Sequence, residues 1–232
     1  MISNQEKAKY EKFIALPEMG EEAMEKLKNS KILVIGGGGL GSAVLPLLAT
    51  SGVGTIGIAE NDTIEISNLQ RQILYSPLDI GEKKLKVIHS TMIKLNPDIR
   101  LKTYDTYLNK KNGEEIIDEY QYILDCTDNF QTRYLINDIC AEKQKPLIYA
   151  SVSDYEGMVT ILHYHKKKNL RDIFPNEPEP KDKSAIIPTL PQIIGSIQAN
   201  ETIKVITNAG EILDGKLLIF NVLNNIIYTL DM

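Results

Sequence analysis

Residues 36–41 read Gly-Gly-Gly-Gly-Leu-Gly, and no other stretch restricts the possible fold as strongly. The run contains G-x-G-x-x-G, with Gly36, Gly38 and Gly41 in the three places and Gly39 between them. Directly before it stands Lys31-Ile-Leu-Val-Ile35, a short apolar β-rich run suited to a strand buried on both faces. Residues 40–51 then predict a helix. A strand that turns sharply into a helix over glycines lets the backbone approach phosphates closely and faces a helix N-terminus to their charge. Glu60 lies 19 residues after Gly41, at the end of the next predicted strand, where a carboxylate can accept hydrogen bonds from a ribose. Glycine turns also occur for packing alone, but strand, loop, helix and acidic residue together favour nucleotide binding.

The motif by itself would suit an NAD-dependent dehydrogenase. The residues beyond Glu60 argue for a different ligand. Asp62, Asn68, Gln70, Arg71 and Gln72 crowd into one short segment, and Lys84 comes soon after. A nicotinamide site has no need for this density of polar groups, whereas a triphosphate does. Arg71 and Lys84 can offset its charge, and Asn68 and Gln72 can orient its oxygens. Taken singly, each reads equally well as a solvated surface residue; it is their crowding after a cofactor strand that favours a site. Asp125-Cys-Thr-Asp-Asn129 closes the fourth predicted strand, at the end where open α/β sheets bind ligands. Asp128 is there a candidate to hold magnesium on phosphates. Its other reading is a helix N-cap, a duty that Asn129 or Thr127 can take instead.

Around this centre the chain alternates strand and helix. Residues 5–29 predict two short helices broken near Pro17 and Gly20. Strands are expected at 31–35, 55–60, 99–104, 122–126 and 146–151, with helices at 40–51, 80–95, 114–119 and 130–143. That rhythm predicts an α/β fold with a doubly wound, Rossmann-like, mostly parallel sheet. Beyond it come strands at 157–164, 216–222 and 225–230 and a helix at 193–208, which suggests antiparallel continuation of the sheet. Residues 166–191 hold five prolines and three successive lysines and read as a long mobile loop. The 232 residues are expected to form a single domain.

Composition excludes more than it proposes. A net charge of −5 gives no sign of nucleic-acid binding. No run reaches the roughly 18 apolar residues of a membrane span, and the polar N-terminus is unlike a signal peptide. The two cysteines, Cys126 and Cys140, form no C-x-x-C pair, so a structural zinc site is not expected. Two cysteines allow a disulfide on count alone, but in a chain of this size they more often mean buried thiols in a reducing compartment, and a cytoplasmic location is expected.

Taken in order, GGGGLGS, GVGTIGI, SNLQRQIL, LNPD, DCTDN, TRYLIND and GSIQANETIK resemble the ThiF/MoeB/HesA proteins, bacterial relatives of ubiquitin-activating enzymes. The resemblance runs from about Tyr10 to Leu230. It implies binding of ATP with Mg2+ and of a ubiquitin-like sulfur carrier of the ThiS or MoaD type, ending in Gly-Gly. The carrier's terminal carboxylate would be adenylated and pyrophosphate released. Carried onto this chain, Gly36, Gly38, Gly39 and Gly41 would line the phosphates and Glu60 would hold the ribose. Asp62, Asn68, Arg71, Gln72 and Lys84 would bind and stabilise the triphosphate, and Asp128 would hold the metal. Adenylyl transfer of this kind needs charge stabilisation more than acid–base groups.

The departures from the resemblance also carry expectations. Such proteins usually have two zinc-binding cysteine pairs; here Asn169-Leu-Arg-Asp172 stands in the place of the first. The second is missing near the C-terminal residues, and the cysteine some members use for sulfur chemistry would fall near Lys181. No zinc and no enzyme-bound sulfur are therefore expected. Relatives are homodimers in which an N-terminal arginine reaches the partner's ATP. Lys12 occupies that place, and a lysine supplies a point charge without the planar fork. Apolar residues around Ile14 and Ile194–Ile206 are candidates for the interface. Two other readings stay open: a non-catalytic relative that only binds ATP or carrier, and an enzyme adenylating a different peptide C-terminus.

Overall fold

A computed structural model describes residues 2–177 and 185–232. Eight strands form one sheet in the order β3-β2-β1-β4-β5-β6-β7-β8. The parallel half consists of β1 (Lys31–Ile35), β2 (Thr55–Ala59), β3 (Arg100–Tyr104), β4 (Tyr122–Asp125) and β5 (Leu147–Ser153). Strands β6 (Glu156–Leu162), β7 (Lys216–Asn221) and β8 (Ile226–Asp231) continue it antiparallel. The chain winds outward from β1 to β2 and β3, then returns to place β4 on the other side of β1. The sheet's switch point therefore lies between β1 and β4.

Nine α-helices occur among the described residues: α1 (Asn4–Lys9), α2 (Glu11–Ile14), α3 (Gly20–Asn29), α4 (Gly39–Thr50), α5 (Lys84–Leu95), α6 (Lys110–Asp118), α7 (Phe130–Lys143), α8 (Leu170–Ile173) and α9 (Thr189–Thr207). Both sheet faces are covered at β1, where successive side chains point to opposite sides. Ile32 and Val34 pack with Met24, Leu45, Ile88 and Ile194 from α3, α4, α5 and α9. Leu33 and Ile35 face Ile117, Ile136 and Leu170 from α6, α7 and α8. This explains why residues 31–35 form an almost continuous apolar run.

Several boundaries differ from expectation for local reasons. The N-terminal segment forms three helical pieces instead of two, because Tyr10 interrupts the first and Gly20, at φ +72°, opens the third. Helix α5 starts at Lys84, not near residue 80. Gly81 is at φ +89°, and Ile64 N–H donates to Glu82 O, which holds this stretch extended. The expected loop 166–191 contains α8, and α9 begins inside its last residues at Thr189. Its residues 178–184, Lys181 among them, lie outside the described residues. Among the described residues no helix is long and apolar enough to cross a membrane.

Candidate functional site

The glycine loop sits at the switch point. Gly36 has φ +102°, and a Cβ there would lie 2.6 Å from Cys126 O at the end of β4. Gly41 passes so close beneath the loop that its Cβ would meet Gly36 O at 2.3 Å. Tyr75 braces the turn by donating its hydroxyl to Gly37 O at 2.6 Å. Burial pushes the Tyr75 phenol well up, with the charges of Glu60 and Asp62 adding to this, so the hydroxyl stays a donor. Gly38 is the N-cap of α4 and gives its first turn no side-chain acceptor. The free amides of that turn supply partial positive charge.

A cavity of about 700 Å³ opens here, a volume ordinary for a small-molecule site. Gly36, Gly38 and Gly39 line it, together with Glu60, Asp62, Asn68, Arg71, Gln72, Lys84 and Asp128. Two expected residues stand apart. Gly41 is a packing residue under the loop and does not form the wall. Lys12, on α2, has a 94% exposed side chain, and among the described residues its one carboxylate within ion-pair distance is Glu11, at 3.9 Å.

The wall residues have distinct surroundings. Glu60 accepts backbone hydrogen bonds from Gly37 (2.7 Å), Asn61 (2.7 Å) and Asp62 (2.8 Å), so it ties β2's end to the glycine loop. Lys84 is buried at 4% exposure and donates to Asp62 Oδ2 at 2.9 Å. Burial alone would raise the Asp62 carboxyl, but the Lys84 hydrogen bond and charge bring it below its usual range. Asn68 accepts from Glu65 N–H at 3.1 Å and closes a 3-10 turn. Among the described residues the Arg71 side chain makes one hydrogen bond, to Ser67 O at 3.0 Å, and has no carboxylate within ion-pair distance. Gln72 is buried, and its Oε1 has no partner among the described residues. Gln192 on α9 donates to Arg71 O at 2.8 Å and holds this segment against the helix.

On the other side of β1, Asp125 is fully buried and accepts from Thr127 N (2.9 Å) and Oγ1 (2.7 Å). Burial raises its carboxyl above the usual range, against the charge of Arg133 and the Thr127 hydrogen bonds. Asn129 caps α7 by accepting from Thr132 N–H at 2.9 Å. Asp128 is thereby released from capping and stands exposed on the cavity wall. Among the described residues no group of three or more His, Cys, Asp or Glu could hold a metal. Asp128 thus fits a hard cation only if other oxygens, such as phosphates, complete its shell.

Three wall or brace residues were not foreseen. Arg133 on α7 is buried, donates to Thr127 O at 3.0 Å, and packs on the Phe130 and Tyr149 rings at 5.1 and 5.7 Å. Its Nε has no partner among the described residues. The signal available was its place in the first helical turn after DCTDN, where a side chain reaches back to the strand ends. Tyr107 lines the cavity and donates to Asp62 Oδ1 at 3.1 Å. Tyr75 is separated by 38 residues from the loop it braces, so only tertiary structure reveals it.

Both cysteines are free and buried. Burial pushes each thiol far above its ordinary range. Asn169-Leu-Arg-Asp172, in the place expected for a cysteine pair, builds the capped turn of α8. Asn169 Oδ1 accepts from Arg171 N–H and Asp172 Oδ2 from Asn169 N–H, both at 2.9 Å. Arg171 pairs with Asp138 of α7 at 2.7 Å.

An open α/β sheet with a polar, cation-bearing cavity over a glycine loop at its switch point defines a nucleotide-binding class of protein. The model of the ThiF family matches residues 10–232, and the chain belongs to that family. It is 42% identical over 225 residues to a Porphyra purpurea protein named "Probable molybdopterin-synthase adenylyltransferase", covering 94% of this chain and 59% of the relative. It is 36% identical over 231 residues to the sulfur carrier protein adenylyltransferase of Thermus thermophilus, covering 95% and 85%. Among solved structures, E. coli MccB with MccA-N7isoASN superposes with TM-score 0.81 at 25% identity, covering 91% and 67%. PaaA, at TM-score 0.83 and 23% identity over 99% and 74%, supports the shared fold.

Proposed function

We propose that this protein is an ATP-dependent adenylyltransferase that activates the C-terminal glycine carboxylate of a small ubiquitin-like sulfur carrier ending in Gly-Gly. The observation that carries the reading is the pairing of an uncompensated Arg71 and a buried Lys84 with the glycine loop around one nucleotide-sized cavity. The names of the algal and Thermus relatives support the substrate class.

In this reading the α4 N-terminus and Gly36, Gly38 and Gly39 receive the phosphates, Glu60 the ribose, and Asn68 and Gln72 the phosphate oxygens. Arg71 stabilises charge as it builds on the α-phosphate, and Lys84 that on the departing pyrophosphate. A carboxylate oxygen of the carrier attacks the α-phosphorus and the α–β P–O bond breaks. Pyrophosphate leaves with the bond's electron pair, and no proton need be moved. Asp128 is the group available to magnesium, which when bound would neutralise phosphate charge. Neither cysteine serves as a sulfur carrier, and α8 is fastened by hydrogen bonds in place of zinc. The active form is a symmetric dimer in which Lys12 reaches the neighbour's site.

ATP–pyrophosphate exchange tests the reading. Exchange is expected to need both magnesium and a Gly-Gly-ended carrier, and Asp128→Ala is expected to lower it about a hundredfold or more. Exchange with a free peptide C-terminus but no carrier would support the peptide-adenylating alternative. Exchange that survives Asp128→Ala would remove Asp128 from the mechanism. Nucleotide binding without exchange on any carrier or peptide would leave a binding protein.

A further inference from the structure

Lys84 poses a physical problem that its own segment does not solve. Burying an ammonium without a partner is costly, and at 4% exposure Lys84 has one carboxylate within ion-pair distance among the described residues, Asp62 at 2.9 Å. The Asp62 side chain is itself 48% exposed. With its outer oxygen untethered, that carboxylate could rotate toward water and leave the ammonium. The outer oxygen is not untethered, because Asp62 Oδ1 accepts the Tyr107 hydroxyl at 3.1 Å.

The loop after β3 is arranged to deliver that hydroxyl. Asn112 of α6 donates to Thr106 Oγ1 and to Tyr107 O, each at 3.0 Å, which fixes the backbone. Asp105 accepts from Asn61 Nδ2 at 2.8 Å and from Lys83 Nζ at 3.2 Å, which ties the same loop to the segment bearing Asp62. Tyr107 is 70% exposed and so contributes little to the core. Its hydrogen bond to the Asp62 carboxylate lifts the phenol above its ordinary range, and the proton remains on Tyr107.

We propose that Tyr107 is a positioning residue for Lys84, acting through Asp62: its hydroxyl keeps the carboxylate turned onto the buried ammonium and so fixes where the positive charge stands in the cavity. The consequence for ligands rests on the reading of Lys84 as a triphosphate-binding group. A nucleotide with β- and γ-phosphates depends on that placement, and AMP does not.

Tyr107→Phe keeps the ring and removes the hydroxyl. Two measurements decide. The first is acetic anhydride labelling read by mass spectrometry, taking Lys84 relative to Lys12. Loss of one partly exposed hydrogen bond to a charged group is expected to raise this ratio about threefold to tenfold, with an unchanged melting temperature. In an Asp62→Ala background the same substitution is expected to add nothing. The second is titration with α,β-methylene-ATP and with AMP. The triphosphate analogue is expected to bind about threefold to tenfold more weakly, and AMP within about twofold of wild type. An unchanged labelling ratio overturns the proposal, as does equal weakening of both nucleotides, which would mark Tyr107 as a base-stacking residue. If the unmodified protein binds neither nucleotide, the phosphate reading falls, and the labelling ratio still decides whether Tyr107 positions Lys84.

Discussion

Neighbouring glycines in the loop have different duties, and substitution separates them. Gly41 is squeezed against Gly36 O, and Gly36 combines a positive φ with close approach to Cys126. Gly38 faces open space: among the described residues an added Cβ would have Gln72 Nε2, at 3.8 Å, as its one neighbour within 4 Å. We therefore expect Gly41→Ala to destabilise the protein by about 3 kcal/mol, through a clash with backbone that cannot move aside. Gly38→Ala should destabilise it less, by about 1 kcal/mol, yet weaken ATP binding, since its methyl would point into ligand space. Thermal melts beside nucleotide titrations check both; equal instability of the two variants would refute the distinction. The residues legible in the sequence, from Gly36 through Arg71 and Lys84 to Asp128, belong to short contiguous motifs whose order carries their meaning. Arg133 and Tyr107 were not legible for the converse reason. Arg133 reads as a solvated helix residue until α7 is packed on Tyr149 and Phe130. Tyr107 meets Asp62 across 45 residues only because β3 lies beside β2.

At the scale of elements, strands and long helices were readable from apolar runs, while short helices depended on capping. Helix α1 buries no residue. It is held instead by a capping box, in which Ser3 N–H donates to Glu6 at 2.7 Å and Glu6 N–H to Ser3 Oγ at 3.2 Å. An ion pair from Glu6 to Lys28 of α3, at 2.6 Å, fastens it to the rest of the protein. The Lys28 hydrogen bond, then the Ser3 contacts, draw the Glu6 carboxyl from its usual 4.5 to about 2. A depressed folded-state value means stability that is fully present above the usual value and lost as pH falls toward the lowered one. Glu6→Gln is thus expected to cost about 1 kcal/mol at pH 7, with the gap to wild type closing as pH drops from 5 toward 2. Urea denaturation at pH 7 and pH 3 tests this, and a gap independent of pH would show that the carboxylate charge is not what holds α1. The same dependence on caps explains why α8 was missed: its four residues have no apolar period, and only Asn169 and Asp172 define it. Helix α5 begins later than its expected start at Ile80 because Gly81, at φ +89°, turns the chain away before Lys84.

For the whole molecule the open matter is how Lys12 could act when it stands clear of its own chain's cavity. Of the expected interface residues, Ile194, Val205 and Ile206 of α9 are buried within their own chain, whereas Ile14, Ile197 and Ile203 are only partly buried against the same core. Exposed apolar side chains lie elsewhere. Leu16 follows α2, Leu47 is on α4, and Ile66, Ile73 and Leu78 flank the segment bearing Arg71; Leu78 is 93% exposed. An isologous contact that joined Leu16 of each protomer to the neighbour's Ile66–Leu78 stretch would set each α2 near the neighbour's Arg71 segment, the arrangement a trans Lys12 requires. We expect a dimer by analytical ultracentrifugation, and Leu78→Glu to weaken it. Lys12→Ala should slow pyrophosphate exchange with the fold intact, and by less than Arg71→Ala, since a point charge at the rim contributes less than a guanidinium on the wall. Mixing the two variants is the sharper test. In a mixed dimer one site pairs an intact Arg71 with the neighbour's intact Lys12, and the other site lacks both. Random exchange at equal amounts therefore rebuilds about a quarter of all sites, and activity should rise above the mean of the separate preparations. If heterodimers form and activity does not rise, Lys12 acts within its own chain or takes no part in the chemistry.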